Sequence, residues 1–353
     1  RAGLAELIRE TGADEIMVAA AIHAPIGLRS ILREWTPWRG RSLDGAMLVV
    51  AALLVVLGPT ATGKSDLGIA VAERLGGEVV NADAMQLYRG MDVGTAKVPA
   101  DRRRVPHHQL DVLDVTQEAT LAGYQAAARA DVDAIRARGG VPVLVGGSGL
   151  YLRAVTDDLV IPPTDADVRA RLEAEAARVG TAALHARLAR LDPAAATAIL
   201  PTNTRRVVRA LEVVELTGRP YSATMPDRTF RGPTLQLGLR LPREDLDARV
   251  DARVERMWAT GILDETARLL AAGLREGRTA PRAIGYAQAV AQLDGSLEQR
   301  EAIEDTQRAT RRLVRRQESW FRPDPRTRWL PADAPDLLDR ALAVIDESGM
   351  MGA

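Results

Sequence analysis

The chain has 353 residues, 46% of them hydrophobic, which is enough to bury a full core in one large or two moderate domains and excludes a mostly disordered protein. Its 47 basic and 47 acidic residues cancel, so a polyanion would have to be recognised by a local basic surface. The absence of cysteine excludes disulfides, thiolate zinc sites and cysteine nucleophiles. No apolar run approaches the roughly 20 residues of a membrane-spanning helix, and no secretory signal opens the sequence. We therefore expect a cytoplasmic protein without a membrane partner.

The first two-fifths of the chain divide into an unusual leader and a regular alternation of strands and helices. Residues 1–46 are an atypical N-terminal extension that we expect to lie outside the catalytic fold, because Met47 would serve as a natural start. The patterns that follow predict a strand at 48–57, a helix at 64–75, a strand at 78–81, a helix at 121–138 and a strand at 141–145. This alternation predicts an α/β fold with a P-loop-type parallel sheet and flanking helices. Residues 47–156 form the first part of that core.

Strand patterns disappear between residues 157 and 230, where Ala, Arg, Leu and Glu dominate. This segment predicts a helical insertion subdomain, with N-caps at Asp165 and Asn203 and helix stops at Gly180 and Gly218. The core continues over 231–335, where alternating leucines predict a strand and a long basic helix runs from about Leu297 to Phe321. Residues 336–353 form a C-terminal helix and tail. Nothing implies a homodimer, so we expect a monomer.

A phosphate-binding pattern, G-x-x-x-x-G-K-[ST], follows the first strand. Its residues are Gly58, Pro59, Thr60, Ala61, Thr62, Gly63, Lys64 and Ser65. Glycines let consecutive backbone N–H groups turn onto an anion, the next helix adds its positive dipole end, and the Lys and hydroxyl reach the terminal phosphate and Mg²⁺. The pattern predicts a diphosphate-binding loop with Ser65 as the metal ligand.

Two further strand ends supply candidate chemistry. A nucleotide-hydrolysing site needs a carboxylate at a neighbouring strand end, but Gly-Gly-Ser-Gly follows Val145, which disfavours hydrolysis. Ser148 there can offer its hydroxyl to a diphosphate or substrate, or the segment can be only a tight strand-to-helix turn. Asp83 lies just past the second strand, where parallel strands share a ligand crevice with the phosphate loop. Asp83 is either a general base or a helix N-cap.

Eight motifs together resemble one family. They are Gly58–Ser65, Asn81–Tyr88, Gly90–Lys97, Pro106–His107, Val145–Tyr151, Asn203–Val213, Arg282–Tyr286 and Thr310–Trp320. In these motifs the chain closely resembles the tRNA dimethylallyltransferases, also called tRNA isopentenyltransferases. The resemblance covers roughly residues 50–335, and the Gly90–Lys97 segment is close to diagnostic.

The resemblance implies transfer of a dimethylallyl group from dimethylallyl diphosphate to the N6 amine of the adenosine 3′ of the anticodon, with Mg²⁺ and release of diphosphate. An adenine amine is a weak nucleophile, so this chemistry needs a base and charge neutralisation of the leaving group. Asp83 is then the base, Ser148 lies near the reacting amine, and Arg253 is a third catalytic residue. Ser148 stands where the family commonly has Thr, but it keeps the hydroxyl. A solvated helix face shared with Arg249 and Arg256 is the competing interpretation of Arg253.

An anticodon stem-loop must present a splayed-out adenosine while the protein grips the surrounding backbone. The family resemblance and the basic clusters together predict a set of tRNA contacts. The predicted residues are Asp83, Ala84, Met85, Gln86, Arg169, Arg205, Arg206, Arg209, Arg282, Gly285, Tyr286, Arg311, Arg312 and Arg315. Arg308 and Arg316 add charge to the long helix, although solvated helix faces compete as an explanation of all these arginines. His107 and His108 are interpreted as structural or substrate-side residues instead of a metal pair, and Trp320 as a core residue.

Three other functions stay open on the residues alone. A small-molecule kinase explains the loop and Asp83 but leaves the basic helices and the insertion unused. A non-catalytic RNA-binding protein with a relic loop is disfavoured by the intact Lys64, Ser65 and Asp83. A transferase acting on free adenine nucleotides shares the loop, and the basic helix and the insertion favour tRNA instead.

Overall fold

A computed structural model of the protein describes residues 52–224 and 228–350. The extension predicted over residues 1–46 lies outside the described residues, as does the beginning of the predicted first strand. Within the described ranges, no helix has the length and apolarity that crossing a membrane requires.

A six-stranded sheet, parallel throughout, forms the centre of the fold. Its strands are β1 (Leu53–Leu57), β2 (Gly77–Asn81), β3 (His107–His108), β4 (Val141–Gly146), β5 (Thr234–Arg240) and β6 (Thr327–Pro331). They are arranged in the order β3-β2-β4-β1-β5-β6. The predicted parallel sheet is confirmed, and the structure adds β3 and β6, which the sequence patterns did not indicate.

Helices surround this sheet and fill the insertion. In chain order they are α1 (Lys64–Arg74), α2 (Leu121–Ala137), α3 (Gly149–Thr156), α4 (Ala166–Val179), α5 (Thr181–Leu191), α6 (Pro193–Ala198), α7 (Thr204–Thr217), α8 (Arg243–Ala259), α9 (Ile262–Ala271), α10 (Tyr286–Leu293), α11 (Gln299–Phe321) and α12 (Leu337–Glu347). The central strands β1 and β4 are buried along their whole length, as expected of a parallel sheet covered on both faces. Helix α1 lies so close to β4 that a Cβ at Gly68 would come within 2.4 Å of Val145.

Helices α4 to α7 form the insertion and pack on a core of their own, which includes Leu172, Leu188 and Leu211. Its predicted helix boundaries are confirmed, since the Asp165 carboxylate accepts the N–H groups of Asp167 and Val168 at the start of α4. Where the insertion joins the core, Asp157 and Phe230 form an antiparallel bridge. The insertion therefore leaves and re-enters the core at one place.

Strand direction positions the site. Because the strands are parallel, their carboxyl ends meet at one edge of the sheet. The phosphate loop follows β1, Asp83 follows β2, and Ser148 follows β4. Three predicted site segments thus emerge from adjacent strands.

Candidate active site

The phosphate loop has a backbone that depends on glycine at two positions. Gly58 has φ +156°, and a Cβ there would lie 2.9 Å from the carbonyl oxygen of Leu239. Gly63 is left-handed, with φ +80°, and serves as the N-cap of α1. The first backbone N–H groups of α1 have no partner within a helix, so they are available to an anion held by the loop.

The Lys64 ammonium lies inside the loop, where it donates to the Pro59 carbonyl oxygen at 3.3 Å. Burial lowers its pKa to about 8, Asp83 acts in the opposite direction, and Arg253 lowers it again. An anion arriving at the loop would favour the charged ammonium, because an opposite charge nearby raises a lysine pKa.

Asp83 is held in a turn just past β2. Its N–H donates to Asn81 Oδ1 at 3.1 Å, and its own Oδ1 accepts the Met85 N–H at 2.9 Å. No helix begins here, so the carboxylate caps a turn and the alternative role as a helix N-cap is wrong. Within 52–224 and 228–350, nothing hydrogen-bonds to its second oxygen, Oδ2, which can therefore accept a proton from a substrate.

Arg253 reaches the site from α8, where its guanidinium donates to Thr60 Oγ1 at 3.0 Å. Burial lowers its pKa, and Asp83 opposes that shift. Arg249 and Arg256 on the same helix are exposed. The structure thus separates Arg253 from its neighbours, and the solvated interpretation fits only the other two.

These groups face one polar cavity. Its lining includes Thr60, Lys64, Ser65, Asp83, Gln86, Thr95, His107 and Arg253. The phosphate loop contributes the Lys64 ammonium, the segment after β2 contributes the Asp83 carboxylate, and α8 contributes the Arg253 guanidinium. The arrangement places a base candidate beside two cations, as transfer from a phosphorylated donor requires.

Ser148 stands at the N-cap of α3 without a side-chain cap. The cavity wall at this strand end is formed by Val145 and Gly146, and Ser148 is not among the lining residues of the described chain. The segment is a tight strand-to-helix turn, and the catalytic role of Ser148 stays a prediction.

Sequence reasoning assigned no role to Gln317 of α11, which is 9% exposed. Its side-chain oxygen accepts the Thr60 N–H at 3.0 Å, and its amide donates to the Gly147 carbonyl oxygen at 2.9 Å. A Cβ on Gly147 would come within 2.5 Å of that amide nitrogen. Gln317 therefore holds together the phosphate loop and the end of β4.

The Gly90–Lys97 segment forms another wall, since Thr95 and Ala96 line the cavity. Lys97, which is 5% exposed, donates to Asp92 and Asp111, each at 2.6 Å. From α9, the Glu265 carboxylate accepts the Asp92 and Val93 N–H groups. The ion pairs of the buried Lys97 and the backbone hydrogen bonds to Glu265 thus fix the loop.

Two predicted tRNA contacts are corrected here. Tyr286 is fully buried, donates its hydroxyl to Glu265 and accepts the Gly94 N–H at 3.2 Å. Gly285 is buried as well, and a Cβ there would lie 2.8 Å from Met257. Neither residue is accessible to RNA in this arrangement, and Tyr286 instead positions the Gly90–Lys97 segment. Arg282, by contrast, is exposed.

The predicted contacts after β2 differ from one another. Gln86 lines the cavity and donates to the Thr95 carbonyl oxygen at 3.2 Å. Met85 packs partly into a neighbouring apolar cluster, and Ala84 is partly exposed in the turn. Their contact with tRNA stays a prediction.

The basic residues of the insertion fall into two groups. Arg169 and Arg209 both pair with the fully buried Glu212, at 2.8 and 2.9 Å. They hold α4 and α7 together, a structural role that the sequence did not predict. Arg205 and Arg206 are exposed at the start of α7 and form no ion pair with any described residue.

A similar division holds on α11. Arg311 pairs with Asp251 of α8, whereas Arg312 and Arg315 are exposed. His107 bonds to the Val105 carbonyl oxygen and also lines the cavity, whereas His108 bonds to the Glu78 carboxylate. In the described part of the chain, no group of three His, Cys, Asp or Glu side chains could hold a metal.

A parallel sheet with a phosphate loop, a nearby carboxylate and two partly buried cations defines an enzyme of the P-loop class. The IPP transferase family model matches residues 86–324. The chain belongs to this family.

Named relatives and solved structures agree with this assignment. The chain is 63% identical to the tRNA dimethylallyltransferase of Kineococcus radiotolerans, over 83% of this chain and 95% of that protein. It is 60% identical to that of Thermobifida fusca, over 84% and 95%. The structure is similar to the full-length tRNA isopentenylpyrophosphate transferase of Bacillus halodurans, with TM-score 0.61, 38% identity and coverage of 85% and 96%. It is also similar to a eukaryotic dimethylallyltransferase acting on tRNA, with TM-score 0.73, 27% identity and coverage of 85% and 79%.

Proposed function

We propose that this protein transfers a dimethylallyl group from dimethylallyl diphosphate to the N6 amine of the adenosine 3′ of the anticodon in tRNA. The single observation that carries the proposal is the cavity in which Lys64, Asp83 and Arg253 meet at the carboxyl edge of the sheet. Family membership supports the choice of donor and acceptor, because its named relatives are tRNA dimethylallyltransferases.

The reaction forms a bond between N6 and C1 of the dimethylallyl group while the bond from C1 to the diphosphate oxygen breaks. The bonding electrons leave with diphosphate, and the N6 proton goes to Asp83. Asp83 suits this task because its Oδ1 is occupied by the Met85 N–H and its second oxygen is left for the proton.

Charge on the departing diphosphate is met by Lys64, by the loop N–H groups and by Arg253. Arg253 is oriented by its hydrogen bond to Thr60 Oγ1, so its guanidinium is fixed before substrate arrives. Cations that are already oriented stabilise developing negative charge without the reorganisation that bulk water would need.

Mg²⁺ fits this donor set. The Ser65 hydroxyl lines the cavity next to the phosphate loop, and Mg²⁺ is commonly held by few protein oxygens together with substrate phosphates and water. Ser65 would hold the ion beside the diphosphate, where it would neutralise leaving-group charge.

The test is incubation of the protein with Mg²⁺, radiolabelled dimethylallyl diphosphate and unmodified tRNA carrying adenosine 3′ of the anticodon. Label on that adenosine is the expected result. Parallel reactions with free AMP, and with labelled ATP plus small-molecule acceptors, test the nucleotide-transferase and kinase alternatives. Label on AMP, or phosphate transfer from ATP with unlabelled tRNA, would contradict the proposal.

A further inference from the structure

The indole of Trp320 is exposed over the turn that follows β4, although the sequence had predicted a core residue. Trp320 is 44% exposed near the end of α11. A Cβ on Gly149 would lie 3.2 Å from the ring atoms Cδ2 and Cε3, so the indole rests on the Gly149 backbone. Gly149 directly follows Ser148, and the prediction of core packing is wrong.

Helix geometry places Trp320 between the site and an exposed basic edge. At about 100° per residue, Trp320 lies roughly 60° around α11 from Gln317, which reaches Thr60 and Gly147. Arg316 lies roughly 40° further round, and Arg312 about one turn earlier on the same edge. Both arginines are exposed, and neither is ion-paired to a residue in the described ranges.

We infer that Trp320 is a stacking platform for a nucleobase next to the reacting adenosine, with Arg316 holding the adjoining phosphate. The inference rests on the proposed function. Unpaired RNA loops are recognised by stacking of bases on aromatic side chains and by cations along the backbone. Because the protein has zero net charge and only 3% aromatic residues, its affinity for RNA must come from local groups. The exposed indole offers a face for base stacking, and the exposed guanidiniums beside it offer positive charge to the backbone.

A splayed-out adenosine loses stacking on its neighbours, and each neighbour loses one stacked face in turn. Trp320 can replace one of these lost contacts because its packing on Gly149 fixes the ring before RNA arrives. The platform therefore acts on RNA binding and not on the transfer of the dimethylallyl group.

The experiment measures transfer to an anticodon stem-loop RNA, and RNA affinity by fluorescence anisotropy, for the parent protein, Trp320→Ala and Trp320→Phe. We expect Trp320→Ala to raise KM for RNA and the RNA Kd by about 5- to 150-fold. In Trp320→Ala, the kcat and the KM for dimethylallyl diphosphate stay at parent values. The RNA Kd of Trp320→Phe lies between those of the parent and Trp320→Ala. Leu293→Ala, which removes an apolar side chain that is 43% exposed on α10, is the matched control and leaves RNA binding unchanged.

A second arm identifies the base. Stem-loops with an abasic nucleotide 5′ or 3′ of the reacting adenosine are compared across the parent and Trp320→Ala. At the stacked position, the abasic site and Trp320→Ala together weaken binding by less than the product of their separate effects. Arg316→Ala lowers the slope of log Kd for RNA against log salt by about 0.7. Arg300→Ala, at the distant end of α11, leaves this slope unchanged.

Unchanged RNA affinity in Trp320→Ala would overturn the platform, and so would independent effects at both abasic positions. A fall in the thermal midpoint of Trp320→Phe together with that of Trp320→Ala would assign the residue to folding instead. Anisotropy tests the platform even if the parent protein transfers nothing, so failure of the proposed function would be seen separately.

Discussion

The side-chain oxygen of Gln317 accepts the backbone N–H of Thr60 at 3.0 Å. The amide of the same side chain donates to the Gly147 carbonyl oxygen at 2.9 Å. One residue of the basic helix α11 therefore fixes the diphosphate loop against the end of β4. We expect Gln317→Glu to raise KM for dimethylallyl diphosphate by about 5- to 150-fold, because it removes the donor to Gly147 and adds negative charge beside the loop.

Gln307→Glu is the matched control, since Gln307 lies on the same helix and its side chain makes just one long hydrogen bond to a described residue, to the Asp251 carbonyl oxygen at 3.5 Å. Steady-state kinetics with varied donor would show the difference, and thermal unfolding would verify folding. Equal donor KM values in the parent and Gln317→Glu would show that the loop needs no support from α11.

Affinity for diphosphate should fall as the pH rises, because Lys64 loses its proton. Its pKa is lowered to about 8, so the ammonium is charged below that pH and neutral above it. Binding of an anion favours the charged form, so the contribution of Lys64 to affinity should be constant below pH 8 and should decline above it by up to about tenfold per pH unit. Calorimetric titration with inorganic diphosphate across this range measures the decline.

Lys64→Arg isolates the effect, since a guanidinium stays charged throughout and the titration of diphosphate itself is common to both proteins. The affinity ratio of the two proteins should therefore change above pH 8. A ratio independent of pH would contradict the assignment of the decline to Lys64.

Sequence reasoning predicted the parts of the fold and site that local patterns encode. The glycine-rich loop, the helix caps at Asp165 and Asn203, and the strand that places Asp83 all depend on neighbouring residues, and the structure has them where expected. Strand β3 is only two residues long, and β6 has the sequence Thr-Arg-Trp-Leu-Pro, in which polar and apolar residues do not alternate, so neither strand shows an apolar repeat.

Residues misassigned or missed have partners far away along the chain. Arg169 pairs with Glu212, 43 residues later, and Tyr286 with Glu265, so a basic or aromatic residue that looks available is engaged internally. Gln317 contacts Thr60 across 257 residues, and an amide within a helix has no sequence signature. Long-range pairing of this kind depends on how the elements pack, which periodicity does not encode.

Removal of the Glu212 side chain should unfold the insertion more than the core. Glu212 is fully buried between Arg169 and Arg209 and also accepts the Asp165 N–H. Glu212→Ala removes both ion pairs and the acceptor of the Asp165 N–H, but it leaves partly exposed guanidiniums that water can reach, so we expect the free energy of unfolding to fall by about 1–3 kcal/mol. Hydrogen exchange of residues 166–217 measures this loss of stability in the insertion.

Glu215→Ala on the same helix is the control, because the Glu215 side chain is 34% exposed and its ion pair with Arg171 should contribute only about 0–1 kcal/mol. Equal protection from hydrogen exchange in Glu212→Ala and Glu215→Ala would mean that the ion pairs of Glu212 do not hold the insertion together.

The exposed arginines of α11 should set the salt dependence of tRNA binding. Arg312 and Arg315 are exposed, whereas Arg311 is paired with Asp251. Substitution of both exposed residues by Ala should lower the slope of log Kd against log salt by about 1.4–1.8, since each phosphate contact contributes about 0.7–0.9. Filter binding at several salt concentrations gives the slope, and Arg300→Ala serves as control. An unchanged slope would remove α11 from the tRNA surface.

Asp83→Asn tests the central claim most directly, because asparagine can still accept the Met85 N–H and keep the turn while losing the base. Single-turnover transfer to tRNA should fall by about 10²- to 10⁴-fold, and tRNA affinity measured on the same preparation should match the parent. Transfer at the parent rate, or loss of tRNA binding equal to the loss of transfer, would contradict the assignment of Asp83 as the base.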